Sequence, residues 1–520
     1  MFLYRLLKNN ADLIFFISLM IVVVSMPLSR FGLSFGQFSI LGIWIIEGRF
    51  KEKLKALFSD KAALVLISFY LMHVFGLLYT DDMQWALKDL RVKLPLLFLP
   101  IVFATSKPLG RVRTNQLLML YFAAVVVASL ISLGVFLTSE VNDFRELSPL
   151  ISHIRLSLNV CLAIFFAANF AYVIYIRKPA VTILLSVTII WLIMFLVMIE
   201  SVTGIVIITV IAYSMIIAGV IKFRQALPRL ASVVALVAIP LFLGWYITST
   251  IDHFVRPCKN DLDHLDAYTA NGNPYLHDTV SQPVENGSYV GLYVSVPELR
   301  REWNKRSDLD FDGLDEIGQE LKYTLIRYLN SKDLRKDSLG VASLGQKDIR
   351  NIEKGTANYY YTKPFSLNSR LYKLLWEYQV RQLHGNPGGH SLTQRLEYWK
   401  TSLSIIRDHF LIGVGTGDIK ETYAHEYEKT GSPLEMQFRH RAHNQYLAIF
   451  VTFGIIGLLW FLFTLVYPGL KKKRMFRYRY SVFWITLILS MLVEDTLETQ
   501  MGATLFAFFN AFLLFGTGDE

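Results

Sequence analysis

The chain has 520 residues, 53% of them hydrophobic, and a formal net charge of +10, with a mean hydropathy of +0.39. Its apolar residues fall in blocks of about 15 to 25, the length a helix needs to cross roughly 30 Å of hydrocarbon, which excludes an ordinary soluble domain and points to an all-α polytopic membrane protein. The excess of Lys and Arg lies between these blocks, so it is read as a topological bias and excludes a nucleic-acid footprint.

About twelve transmembrane helices are predicted, near residues 12–27, 32–47, 62–79, 92–105, 117–138, 157–176, 182–200, 203–221, 230–251, 443–467, 481–496 and 501–516. The first is not read as a cleaved signal: Arg5 and Lys8 precede it, but no small-residue cleavage site follows Met26. With the N-terminus placed in the cytoplasm, the inside loops carry Arg49/Lys51/Lys53/Lys55, Lys107/Arg111/Arg113, Arg177/Lys178, Lys222/Arg224/Arg229 and the run Lys471 to Arg479. All are basic, as the positive-inside rule requires, and an even number of spans returns the C-terminus to the cytoplasm. Some cations then fall on the outer side: Lys88, Arg91 and Lys93 before the fourth span, and Arg155 before the sixth. Either they face a negatively charged substrate or they pair with Asp81, Asp82, Asp89 or Glu146. Glu200, Glu494 and Asp495 sit at or near the outer ends of spans, where pairing with those arginines would lower the cost of burying a carboxylate.

This orientation divides the chain into residues 1–251 (nine spans), an outer loop at 252–441 and a last group of three spans at 442–520. In the loop, Asp, Asn, Lys, Gly and Tyr replace Val, Ile and Leu, and a helical subdomain is expected. Residues 319–329 place Leu321, Leu325, Tyr328 and Leu329 on one helical face; residues 394–410 do the same with Leu396, Trp399, Leu403, Ile406 and Phe410. Ser391 and Gln394 resemble a capping box for the second helix, which puts Arg395 in its first turns, where the helix dipole also favours an anion. Gly413-Val-Gly415-Thr-Gly417 follows a helix and has no preceding strand, so it reads as a tight turn rather than a nucleotide loop. Asp308-Leu-Asp310-Phe-Asp312-Gly313 has only the first half of a calcium-loop pattern; its twelfth position is Gln319. Cys161 and Cys258 form no metal pattern, and a disulfide between them stays open.

Arg439-His440-Arg441-Ala442-His443-Asn444 stands where the polar loop runs into an apolar helix. An imidazole there can accept a proton from an attacking hydroxyl. Arginines beside it can hold phosphate oxygens with their planar forks and stabilise a departing diphosphate.

Arg395-Leu-Glu-Tyr-Trp-Lys, Asp408-His-Phe-Leu-Ile-Gly413-Val-Gly415-Thr-Gly417, His443-Asn444-Gln-Tyr-Leu and Phe453-Gly454-Ile-Ile-Gly457-Leu, in this order and behind a large outer loop, resemble the O-antigen ligase and polymerase superfamily. The resemblance is concentrated in residues 391–460, and the size of the loop looks like that of a Bacteroidetes member. It implies a GT-C-type fold and a metal-independent, inverting glycosyl transfer without a cofactor, at the periplasmic face of the bacterial inner membrane. The implied donor is a glycan on undecaprenyl diphosphate, and the acceptor a hydroxyl of lipid A-core, another glycan or a protein. By motif match His443 is the catalytic residue and Arg395 a diphosphate ligand; position adds Arg441 and Arg155. Lys93, Arg91, Arg439, His440 and Asn444 are further candidates, the roles of Arg439 and His440 being unassigned. Relatives often carry Arg directly after Ser where this chain reads Ser201-Val202, so Arg155 or Lys93 would substitute, or the donor is gripped differently. A polymerase or a protein O-oligosaccharyltransferase fits the same donor chemistry. A flippase would want charged or broken helices near the midplane and internal repeats, and the polar residues here cluster at helix ends.

Overall fold

A computed structural model describes residues 9–139, 144–222, 225–256, 262–363, 367–384 and 391–518. The structure is mostly helical (73%), with no closed sheet among the described residues. In order, the first eleven helices are α1 (Ala11–Leu28), α2 (Arg30–Glu47), α3 (Phe50–Ser59), α4 (Lys61–Phe75), α5 (Met83–Lys93), α6 (Pro95–Thr105), α7 (Arg111–Thr138), α8 (His153–Ile174), α9 (Pro179–Met198), α10 (Val202–Lys222) and α11 (Ala226–Val255). After the polar segment come α17 (Ser391–Asp408), α18 (Ile419–Lys429), α19 (Gln445–Lys471), α20 (Tyr478–Val493) and α21 (Gln500–Ala511). Among the described residues, eight helices are long and apolar enough to cross a membrane: α1, α4 with its 3-10 extension, α7 to α11, and α19. A ninth is counted if α2 and α3, bent by 113°, are taken as one span.

Each of the twelve predicted spans coincides with a helix, but those at 32–47, 92–105, 481–496 and 501–516 fall short of a full straight crossing. The fourth is short because the chain restarts its helix at Pro95, which has no N–H to lose at a helix start. The resulting α6, 11 residues long, packs on α4 and α21, and Phe103 meets the rings of Phe508 and Phe512 at 5.5 and 5.9 Å. An apolar helix enclosed by protein need not match the bilayer thickness. Much of the remaining apolar surface, including nearly all of α11, faces outward, as a lipid-facing surface must.

The chain divides into two compact units: one of residues 1–139, 145–212 and 395–520, the other of 140–144 and 213–394. In the second, β1 (Leu276–Asp278) pairs antiparallel with β4 (Gly291–Val294), and β2 (Val284–Glu285) with β3 (Ser288–Tyr289) through an Asn286-Gly287 turn with both φ values positive. The helices α12 (Val296–Trp303), α13 (Leu321–Ser331), α14 (Ser338–Ala342), α15 (Gln346–Glu353) and α16 (Leu367–His384) complete it. Leu321, Leu325, Tyr328 and Leu329 are all buried, as their helical spacing predicts, in a core with Trp303, Phe311 and Ile352. In the acidic stretch, Arg300 holds Asp312 with two hydrogen bonds of 2.6 and 2.8 Å, and Asp315 is turned inward onto Thr324.

In α17 the apolar face differs from the expected one. Tyr398, Ser402, Ile405 and Ile406 are buried, whereas Leu396, Leu403 and Phe410 are exposed. Apolar spacing locates a face that avoids water but does not distinguish a protein neighbour from lipid. The capping box at its start rests on the Ser391 side chain and lies outside the described residues.

The glycine turn interlocks with α19. That helix breaks at Gly454 (φ 65°), and the turn lies along the break: Val414 N–H donates to Val451 O (3.0 Å), Gly415 N–H to Thr452 O (2.9 Å), and Ile455 N–H to Phe410 O (2.8 Å). A Cβ on Gly454 would stand 2.2 Å from the Leu411 carbonyl carbon. Gly454→Ala should therefore destabilise the protein by at least about 2 kcal/mol, combining a forbidden φ with a backbone clash. Thermal melts in detergent will show it as a lowered Tm.

Candidate functional site

The site forms where α19 begins. Asn444 is its N-cap, the side-chain oxygen accepting from the N–H groups of Tyr446 (3.0 Å) and Leu447 (3.1 Å), so the helix starts at Gln445 rather than at His443. Asn444 Nδ2 also donates to Leu492 O at 2.8 Å, tying the cap to the end of α20. The preceding loop is pinned by aromatic donors: Tyr398 Oη to Phe438 O (2.8 Å), Tyr427 Oη to His440 O (2.6 Å) and Trp399 Nε1 to Ala442 O (3.0 Å). His443 itself sits at φ 44°, a conformation that a non-glycine residue holds only where its surroundings impose it.

Two buried carboxylate groups follow α20. The first is Glu494 with Asp495. Glu494 Oε1 accepts from Arg395 Nη2 at 2.8 Å, while Oε2 lies 3.8 Å from His443 Nδ1; Asp495 Oδ1 lies 3.6 Å from the same nitrogen. Both gaps are too long for hydrogen bonds, and Nδ1 is buried without a partner. Arg155, 8% exposed, feels the charges of both carboxylates, and its Nη1 is likewise buried and unpartnered. The second is Glu498, whose Oε2 accepts from Lys93 Nζ (2.9 Å) and Arg441 Nη1 (3.0 Å), and whose Oε1 accepts from Gln445 Nε2 (3.2 Å). Lys93 Nζ also reaches both Asp89 oxygens, at 2.6 and 2.7 Å.

The sequence-predicted residues thus separate. His443 and Arg395 share Glu494, with Arg155 beside them; Arg441 and Lys93 share Glu498. Lys93 is 1% exposed and enclosed by two acids, which makes it a structural cation rather than one facing a ligand. Arg439 donates to Leu434 O, His440 packs its ring against Tyr398 and His443, and Arg91 is exposed on α5. Cys161 is buried and free, its thiol 3.4 Å from Gly204 O; Cys258 lies outside the described residues. Glu498 and Gln445 escape sequence reasoning, although the acidic run Glu494-Asp495-Thr496-Leu497-Glu498 directly after an apolar stretch is a signal for buried, paired charge.

Burial alone would lower the His443 pKa, but the Glu494 and Asp495 carboxylates outweigh it and hold the imidazole above its ordinary value, with Arg395 opposing. Burial would raise Glu494, yet His443, Arg395 and Arg155 bring it below the usual carboxylate range. Burial likewise opposes the ionisation of Glu498, and Lys93 and Arg441 overcome it and hold this carboxyl well below that range. Among the described residues, His443, Glu494 and Asp495 are the one His/Asp/Glu group close enough to share a metal ion. Arg395 occupies Glu494 Oε1 while Oε2 faces His443, and Arg155 stands beside the group, so these residues can also handle a proton or an anion.

Residues 360–462 match the family model described as O-Antigen ligase. This match covers about a fifth of the chain and is a likeness to that family. The matched stretch contains Arg395, Arg441 and His443, whereas Arg155, Glu494 and Glu498 lie outside it. This family comprises glycosyltransferase-like ligases and polymerases that work on lipid-linked glycans in a membrane setting. No curated protein matches the chain.

Glu498 neutralises the buried Lys93 and the half-buried Arg441, drawn from distant segments. Glu498→Ala should cost about 3 kcal/mol of stability, since removing one partner of a buried ion pair strands the others. Thermal denaturation in detergent is the measurement.

Proposed function

We propose that this protein is an O-antigen ligase-type glycosyltransferase that moves a glycan from undecaprenyl diphosphate to an acceptor hydroxyl, that of lipid A-core, at the periplasmic face of the bacterial inner membrane. The observation that carries this reading is the placement of His443, whose Nδ1 faces two carboxylates while Arg395 and Arg155 stand beside the same carboxylates. It combines a group that can take a proton with cations that can take phosphate. Both termini are cytoplasmic in this reading, residues 252–441 form the periplasmic loop, and the short apolar helices complete a GT-C-type arrangement of about twelve spans. The match over residues 360–462 supports the chemistry at family level.

In the mechanism, the donor diphosphate docks on Arg395 and Arg155, with the remaining donors of Arg441 reaching its far side. His443 accepts the acceptor's proton through Nε2, the nitrogen turned away from the carboxylates. The acceptor oxygen bonds to the anomeric carbon as its bond to the diphosphate breaks, and attack from the opposite face inverts the centre. The arginines stabilise the charge leaving on the diphosphate. No step requires a metal or cofactor.

His443→Ala should lower glycan transfer by about 10²-fold or more while leaving expression intact; normal transfer would refute the assignment. Arg155→Ala and Arg395→Ala should each lower it by about 10²-fold, measured with purified protein and lipid-linked donor. Because His443 must be neutral to act as a base and its pKa is raised, the rate should fall as pH drops through a midpoint above about 6.5. Deletion followed by separate gels for lipopolysaccharide, capsule and glycoprotein identifies the acceptor. Loss of the lipopolysaccharide ladder supports lipid A-core, and loss of either other signal assigns a polymerase or a protein O-oligosaccharyltransferase.

A further inference from the structure

Glu494 has two oxygens with different duties. Oε1 is bound by Arg395 at 2.8 Å, and Oε2 points toward a buried imidazole nitrogen that has no partner, across a gap of 3.8 Å. We infer that Glu494 is the positioning residue for His443, a carboxylate held by Arg395 in the resting site and turned to the Nδ1–H when the donor's diphosphate takes up Arg395. This rests on the reading of His443 as the base and Arg395 as a diphosphate ligand.

A diphosphate offers Arg395 more negative charge and more acceptor oxygens than one carboxylate, so it competes directly for the guanidinium. Once loosened, Glu494 has His443 as its nearest neutralising donor, and a movement of less than about 1 Å closes the hydrogen bond. That bond fixes the ring with Nε2 free and holds the imidazolium that forms when the acceptor hydroxyl gives up its proton. The proton leaves oxygen for Nε2, the oxygen bonds to the anomeric carbon, and the electron pair of the broken bond departs with the diphosphate. Base strength would then be supplied when the donor is in place. The charged and titratable groups facing His443 are Glu494 and Asp495 after α20, Arg395 and Tyr398 on α17, and His440 on its own loop. Asp495 is the rival partner at 3.6 Å, but it is not held by Arg395 in any contact described above and its side chain is the more exposed.

The test uses the full-length protein in nanodiscs. Diethylpyrocarbonate modifies neutral imidazole, and mass spectrometry of the His443 peptide follows its rate against pH, with and without inorganic diphosphate. The midpoint should rise with diphosphate, and rise less in Glu494→Gln than in the wild type. Equal shifts in both proteins, or no shift in either, overturn the inference. In transfer assays Glu494→Gln should lose at least about tenfold in kcat with donor KM unchanged or lower, and Glu494→Asp, which keeps the charge, should recover part of the loss. Wild-type kcat in Glu494→Gln, or a larger loss in Asp495→Asn, also overturns it. An active His443→Ala variant would defeat the underlying base assignment instead, which separates the two failures.

Discussion

Charge brought out of water at the edge of an apolar bundle must be compensated inside the protein, and this requirement organises the whole candidate site. Arg155, Lys93, Arg395 and Arg441 come from four places in the chain; Asp89, Glu494, Asp495 and Glu498 face them. Desolvation of each ion is expensive, and mutual attraction offsets it only with close geometry. The candidate site is therefore, first of all, a solution to a burial problem. The compensation is unequal. Around Glu498 both carboxylate oxygens accept hydrogen bonds, with His73 nearby carrying an unpartnered Nε2, and around Glu494 one histidine nitrogen and one arginine nitrogen remain unpartnered.

Much of the fold was legible because the bilayer imposes a coarse code. Apolar blocks located helices at all twelve expected positions, and the helical spacing of Leu321, Leu325, Tyr328 and Leu329 identified a buried face. The errors fall where the code carries no information on neighbours. Leu396 and Leu403 satisfy an apolar period yet face outward, and α6 is a short piece enclosed by protein rather than a full crossing. Within the candidate site, residue type and motif pointed to His443 and Arg395, which the structure places on opposite sides of Glu494. The pairings could not, because Lys93 and Glu498 are separated by some four hundred residues, and nothing local in either shows that they meet.

The polar segment is shared between the two units. Its core of Trp303, Phe311 and Tyr328 belongs to one compact unit, while Arg395, the glycine turn and His443 belong to the other. The matched family stretch runs across that division. The matched stretch and the structural unit are therefore different partitions of the same chain, and the candidate site follows the second.

The clasp between the glycine turn and the break in α19 makes the length of α17 a ruler. Its far end at Asp408 lies five residues before Gly413, which packs against the backbone of Thr452 and Phe453, so the number of helical residues from Arg395 to Asp408 helps set the direction in which that guanidinium points. Each residue of an α-helix turns the next by about 100°. One residue added or removed between these points would carry Arg395 around the helix and away from Glu494, although every side chain of the site were still present.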